Sequence, residues 1–143
     1  MNQDFLNSSG YPDPTPYEAI RAIEAEEKKA ARAFRPIVYI CSPYAGDIEK
    51  NVDRARLYSR FALNAGCIPL AVHLLFPQFM NDEIPSEREL ALRLGNVLMS
   101  KCAQVWVFAG HGISSGMAGE IEHAQNKGYR LRYFDAECRE VVG

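Results

Sequence analysis

Excess positive charge is missing from this chain: 16 lysines and arginines stand against 18 aspartates and glutamates, a formal net charge of −2. A general nucleic-acid binder is normally basic along one face, so that class is set aside, while a small anionic ligand needs only a local positive site. The four cysteines, Cys41, Cys67, Cys102 and Cys138, form no CxxC pair, which argues against zinc. Three of them fall in or beside apolar segments, where a reduced thiol packs as a small hydrophobe, so a cytoplasmic protein with no metal and no cofactor is expected. No window offers eighteen uncharged apolar residues and the amino terminus lacks the pattern of a signal peptide, so no membrane association is expected. Internal repeats and low-complexity tracts are absent too. At 143 residues the chain can bury a core that stands without metals or disulfides.

What is present is an alternation of apolar strands and amphipathic helices. Residues Met1 to Thr15 are rich in turn formers and predict an arm with little structure of its own. Thr15, Pro16 and Glu18 then make a helix start, with Thr as cap, Pro at the first helical position and Glu three after the cap. That helix runs towards Phe34 with a thin apolar stripe at Ile20, Ile23, Ala30 and Phe34, which suits the domain surface or a contact with another subunit. The chain is thus divided into an arm and helix over 1–35 and an α/β domain over 36–143.

Within the domain, Ile37 to Cys41 is apolar on both faces, as a central parallel strand requires. The turn Ser42 to Asp47 leads into a helix from Ile48 to Asn64, with Ile48, Val52, Ala55, Tyr58 and Ala62 as its packing side. Cys67 to Val72 predicts a second strand, placed at an edge by Pro69. His73 follows, then an apolar loop from Leu74 to Met80 that suits a pocket or an interface. A helix from Pro85 to about Lys101 carries Leu90, Leu94, Val97 and Leu98 as its core stripe. Val105 to Ala109 reads as a buried strand, Gly110 to Gly116 as a glycine and serine loop, Met117 to Gln125 as a helix, Tyr129 to Phe134 as a last strand and Asp135 to Gly143 as a tail.

This order predicts a three-layer, Rossmann or flavodoxin-like α/β fold: a parallel sheet of four to five strands, helices on both faces, and an added N-terminal helix. For strand order 2, 1, 3, 4 the chain reverses between the first and third strands, and ligands bind beyond the carboxyl ends at such a reversal. Ser42 to Gly46 then lies opposite Gly110 to Gly116.

Glu120 is the residue that carries chemistry. Met117, Ile121 and Ala124 share one helical face, and Glu120 lies beside Met117 and Ala124. A carboxylate at the edge of a buried face either has a partner or task there, or is an early-turn Glu favoured by the helix dipole with its stem along the interface. Tyr39, Ser42, His73 and the Ser114, Ser115, Gly116 loop meet it at the same crevice. Gly116 lets a backbone approach a ligand, and free N–H groups at the helix start, with the two serine hydroxyls, can receive an anion. A carboxylate beside an anion site suits attack on an anomeric carbon through a covalent glycosyl ester. Tyr39 would orient it.

The run Val38-Tyr39-Ile40-Cys41-Ser42-Pro43-Tyr44, with Ser114 and Gly116 six and four residues before Glu120, resembles the nucleoside 2-deoxyribosyltransferase superfamily. That group includes the deoxynucleoside 5′-monophosphate N-glycosidases, and this chain is most similar to its uncharacterised phage and bacterial branch. The resemblance spans about Pro36 to Phe134. It implies Glu120 as nucleophile, Tyr39 as its orienting partner, Ser114 and Gly116 in the phosphate or sugar loop, and His73 near the base pocket, where a packing histidine fits as well. It also implies a homo-oligomer in which a neighbour closes the site, a contact that the apolar loop Leu74 to Met80 suits. Where the family carries an Asp that helps with the sugar or protonates the departing base, the gapless match falls on Asn96, and an amide is no general acid near pH 7.

Three functions follow as expectations. The first is an enzyme that cleaves or exchanges the N-glycosidic bond of a nucleoside or nucleotide. The second is a nucleotide-sensing module without turnover, and the third an interaction protein with a vestigial crevice. Arg54, Arg56, Arg88 and Arg93 are candidates for phosphate contacts.

Overall fold

The computed structural model describes residues 15–31 and 33–143, so the expected arm lies outside the described residues apart from Thr15. The chain divides into two compact units, the first ending at Phe34 and the second spanning Arg35–Gly143. In the first, helix α1 covers Pro16–Ala31. It opens on the reciprocal pair that its sequence predicts. The Glu18 backbone N–H donates to Thr15 Oγ1 at 3.2 Å, and the Thr15 N–H donates to Glu18 Oε2 at 3.4 Å. The helix stops at Ala31, short of the expected Phe34.

The second unit is built on strands whose residues alternate between two cores. Strand β1 covers Ile37–Cys41, helix α2 Ile48–Asn64 and strand β2 Ile68–Leu70. Short helix α3 covers Val72–Leu75, helix α4 Pro85–Met99, strand β3 Gln104–Phe108, helix α5 Ser115–Lys127 and strand β4 Leu131–Phe134. A last strand, β5, is Glu140–Val141. The sheet order is β2-β1-β3-β4-β5, parallel except for β5. Successive strand residues point to opposite faces. Val38, Ile40, Trp106, Phe108 and Phe134 accordingly join Tyr58 and Ala62 of α2 in one core. Tyr39, Cys41, Val105 and Val107 join Met99 of α4 and Met117 and Ala124 of α5 in the other. Tyr58 stacks on Phe108 with ring centroids 4.1 Å apart.

β1 therefore lies between β2 and β3, and the reversal of strand order falls where the sequence places it, between β1 and β3. The loop after β3 leaves the sheet at Gly110, where a Cβ would run into the backbone of Ala136. Gly128, at φ 73°, ends α5 in the left-handed conformation that glycine adopts without a steric penalty.

Four expectations are corrected. Leu90, Leu94 and Val97 are 40%, 38% and 57% exposed rather than core. The face of α4 that meets the sheet is the one carrying Gly95 and Met99, both buried: Gly95 lets the helix come close to Tyr39, and Met99 fills the core beside it. Val72 ends no strand; it starts α3, so His73 sits on a helical turn. Ile48 is exposed on α2, and Asn51 takes the buried position, donating to the Tyr44 and Ala45 carbonyls at 3.0 and 3.1 Å. The expected tail folds back instead. Asp135 Oδ1 accepts from the N–H groups of Glu137 and Arg139 at 2.9 Å each, and Arg132 grips Glu140 through two bonds of 2.8 Å. Among the described residues no helix is long and apolar enough to cross a membrane.

Candidate functional site

Ser114 caps α5: its Oγ accepts the Met117 N–H at 3.2 Å. The cap starts the helix at Ser115 and so sets which residues turn inward. Met117 and Ala124 are fully buried and Glu120, between them, is 8% exposed. Its carboxylate is held unequally. Oε1 lies 3.7 Å from Nε2 of His73, while Oε2 is buried with no hydrogen-bond partner. A buried, unpartnered carboxylate oxygen is unfavourable and calls for a reason.

Two groups on β1 border this carboxylate. Tyr39 is 2% exposed; burial first, and the Glu120 charge second, hold its hydroxyl well above the ordinary phenol range. Cys41, on the same side of the strand, is pushed well up by burial and again by Glu120. Both therefore keep their protons, and the phenol is available as a donor. From α4, Gly95 leaves room for the phenol, since a Cβ there would stand 3.5 Å from its Oη.

His73 is fixed from the other side. Its ring stacks on Tyr44 with centroids 5.1 Å apart and planes 22° from parallel. Tyr44 belongs to the loop after β1, which Asn51 of α2 ties down through two carbonyls. The stack, the His73–Glu120 contact and the loop thus form one chain of contacts from α2 to α5.

These groups surround one cavity. Tyr39, His73, Asn96, Ser114, Ser115, Gly116 and Glu120 all line it, so seven of the nine site residues expected from sequence come together. Ser42 and Gly46 do not reach its wall. Ser42 is 1% exposed with an unpartnered Oγ, and Gly46 makes the turn before α2 at φ 96°. The lining also includes the apolar Val72, Phe76 and Met80 and the charged Asp82, Glu87 and Arg88. A neighbouring cavity, lined by Arg54, His111 and Asp47 among others, shares Ala45 and Ser114 with the first. Of the four arginines singled out, Arg88 lines the first cavity and Arg54 the second, while Arg56 lies 3.6 Å from Asp53.

The sequence reading missed Tyr44 as a site residue. The signal was available: an aromatic three residues beyond a buried strand's carboxyl end, at the point where the strand order reverses, points at the crevice. Asn96 lines the cavity rather than facing open solvent. Among the described residues no group of three His, Cys, Asp or Glu side chains is placed to hold a metal ion.

Chemically, the cavity offers a carboxylate, an imidazole, a protonated phenol, a carboxamide and a helix start whose first N–H groups have no partner within the helix. The fold and site define an α/β domain with a ligand-sized crevice at a topological switch point. Residues 36–134 match the family described as "Domain of unknown function (DUF7768)", and the chain belongs to that family. No curated protein and no solved structure matches it.

Proposed function

We propose that this protein cleaves or transfers the N-glycosidic bond of a deoxynucleoside or nucleotide, with Glu120 as the nucleophile. The observation that carries this is Glu120 itself, a carboxylate only 8% exposed that lines the cavity beside Tyr39 and His73. The resemblance to the nucleoside 2-deoxyribosyltransferase superfamily supports the same assignment.

In the first step a Glu120 oxygen bonds to the anomeric carbon as the carbon–nitrogen bond breaks. The bonding pair leaves with the base, which takes up one proton. In the second, water or an acceptor base attacks the glycosyl ester, loses a proton and restores the carboxylate. Tyr39 donates its hydroxyl towards the carboxylate, and Ser115 and Gly116 at the helix start receive a sugar hydroxyl or a phosphate. The test is base release from a panel of deoxynucleosides and deoxynucleotides. Wild type releases base and Glu120→Ala does not; equal null results for both across the panel end the catalytic reading.

Asn96 on the cavity wall favours a second reading, a nucleotide-binding module without turnover. It predicts thermal stabilisation by nucleotide, about 2.7 kcal/mol at a hundredfold excess over Kd, with no base released. The homo-oligomer expected from the resemblance and from the apolar loop Leu74 to Met80 is supported by the exposure of Leu75 and Phe79 in that loop and of Leu90, Leu94 and Val97 on α4. A pure monomer in light scattering removes it.

A further inference from the structure

A second cavity adjoins the one that Glu120 lines, with Ala45 and Ser114 common to both walls. One side chain of α2 organises it. Asn51, 6% exposed, is engaged at both ends: Nδ2 donates to the Tyr44 and Ala45 carbonyls, and Oδ1 accepts from Nη1 of Arg54 at 3.4 Å. Residues three apart are neighbours on a helix, so Asn51 ties the loop after β1 and the Arg54 guanidinium to the same wall. Arg54 is half-buried, and among the described residues it forms no ion pair. A guanidinium carries five N–H donors, of which Asn51 takes one. The loop after β3 adds His111 to the lining. The acid on this wall is already matched: Asp47 accepts the Lys50 N–H as cap of α2, and its Oδ2 lies 3.8 Å from Lys50 Nζ. A cation with spare donors beside an imidazole favours an anion here.

We propose that this second cavity is a phosphate subsite: Arg54 and His111 hold the 5′-phosphate of a nucleotide whose sugar and base occupy the cavity beside Glu120. The proposal rests on the reading of the first cavity as a sugar and base site, and adds that the ligand carries a phosphate and where it goes. A planar guanidinium can meet two phosphate oxygens at once, which suits Arg54 to the task. A 5′-phosphate hangs from a carbon outside the sugar ring, so it can pass the shared wall at Ser114 while the ring stays by Glu120. The Ser114 hydroxyl is engaged as the helix cap, and Ser115 and Gly116 line the first cavity but not the second. They are left to the sugar hydroxyls. The substrate class is therefore the nucleoside 5′-monophosphate rather than the nucleoside.

The test is calorimetric binding to the full chain carrying Glu120→Gln, so that nothing turns over, with the common deoxynucleosides, their 5′-monophosphates and inorganic phosphate as probes. At least one 5′-monophosphate binds about tenfold or more tighter than its nucleoside, and inorganic phosphate competes with the monophosphate. Adding Arg54→Ala closes the gap to within about threefold and leaves nucleoside affinity within about threefold, while Arg54→Lys keeps part of the gap. Arg56→Ala, which removes the same charge from an exposed ion pair, leaves the gap intact. Because Arg54 also bonds Asn51, His111→Ala on an exposed loop is the second variant, and it weakens the monophosphate without weakening the nucleoside. Equal affinity for nucleoside and monophosphate, a gap that survives both Arg54→Ala and His111→Ala, or a gap that Arg56→Ala closes as well overturns the proposal. So does binding of inorganic phosphate alone, or of none of the probes. The two readings fail separately. If the monophosphate binds through Arg54 but the wild-type chain releases no base, the glycosidase reading falls and the subsite stands. If wild type releases base from nucleosides and monophosphates with equal kcat/KM, the subsite falls and Glu120 keeps its role.

Discussion

Gly95 of α4 and Tyr39 of β1 meet so closely that a Cβ built on the glycine would stand 3.5 Å from the tyrosine hydroxyl. That is an ordinary van der Waals distance, and Gly95 lies within a regular helix. Gly95→Ala therefore fits and gains helix propensity, raising stability by up to about 1 kcal/mol in denaturant titration. Gly95→Leu has no such room and lowers stability by about 1–3 kcal/mol, with displacement of the phenol from Glu120. Equal effects of the two substitutions would contradict this packing.

The unpartnered oxygen of Glu120 separates stability from activity. Glu120→Gln removes a buried charge without changing shape, so the melting temperature is expected to hold or rise. Base release is expected to fall by at least about a thousandfold, since an amide forms no glycosyl ester. A large loss of melting temperature would show the carboxylate to be a structural ion-pair partner instead.

Asn96 occupies the position where the resemblance implies an acid. If protonation of the departing base limits the rate, Asn96→Asp raises kcat, with general acids contributing about 10²–10⁴-fold. Single-turnover measurements on a purine deoxynucleoside would detect this. No gain over wild type would mean that the proton comes from elsewhere.

The two serines at the start of α5 divide the work. Ser114 is engaged as the helix cap, so Ser114→Ala is expected to reduce stability by about 1 kcal/mol. Ser115 is exposed and makes no such bond, so Ser115→Ala is expected to stay within about 0.5 kcal/mol of wild type while weakening ligand binding. Calorimetry on both variants distinguishes the roles.

Alkaline pH should weaken the fold. Burial raises the Cys102 thiol from 9.0 to about 11, and Cys41 and Tyr39 are raised further by burial and the Glu120 charge. Each group binds its proton more tightly folded than unfolded. Its stabilisation is thus full below the unfolded value and is lost as pH climbs towards the folded one. For Cys102 that window is from 9.0 to about 11. The melting temperature is expected to fall through this range, and Cys102→Ala to remove part of the slope. A profile equally steep in the variant would refute the assignment.

Much of this could be read before any coordinates, and the reason is local. The apolar run Ile37 to Cys41, the cap at Thr15 and Glu18, and the helix from Ile48 to Asn64 are encoded by neighbours within a few residues, so their type and even their ends were legible. The strand order and the crevice followed, because alternating strands and helices admit few topologies. The failures share a cause as well. Leu90, Leu94 and Val97 have the period of a core stripe, but which face of α4 turns to the sheet depends on what it meets there, and Gly95 and Met99 make the closer fit. Strand β5 is two residues long and has no local signal; it exists because Arg132 and Asp135 draw the chain back. The sequence by itself determined that a carboxylate would sit at the edge of a buried helical face. Only the tertiary structure decided that this carboxylate would meet an imidazole and a phenol, because His73, Tyr39 and Glu120 come from three segments that approach only when α3, β1 and α5 are packed together.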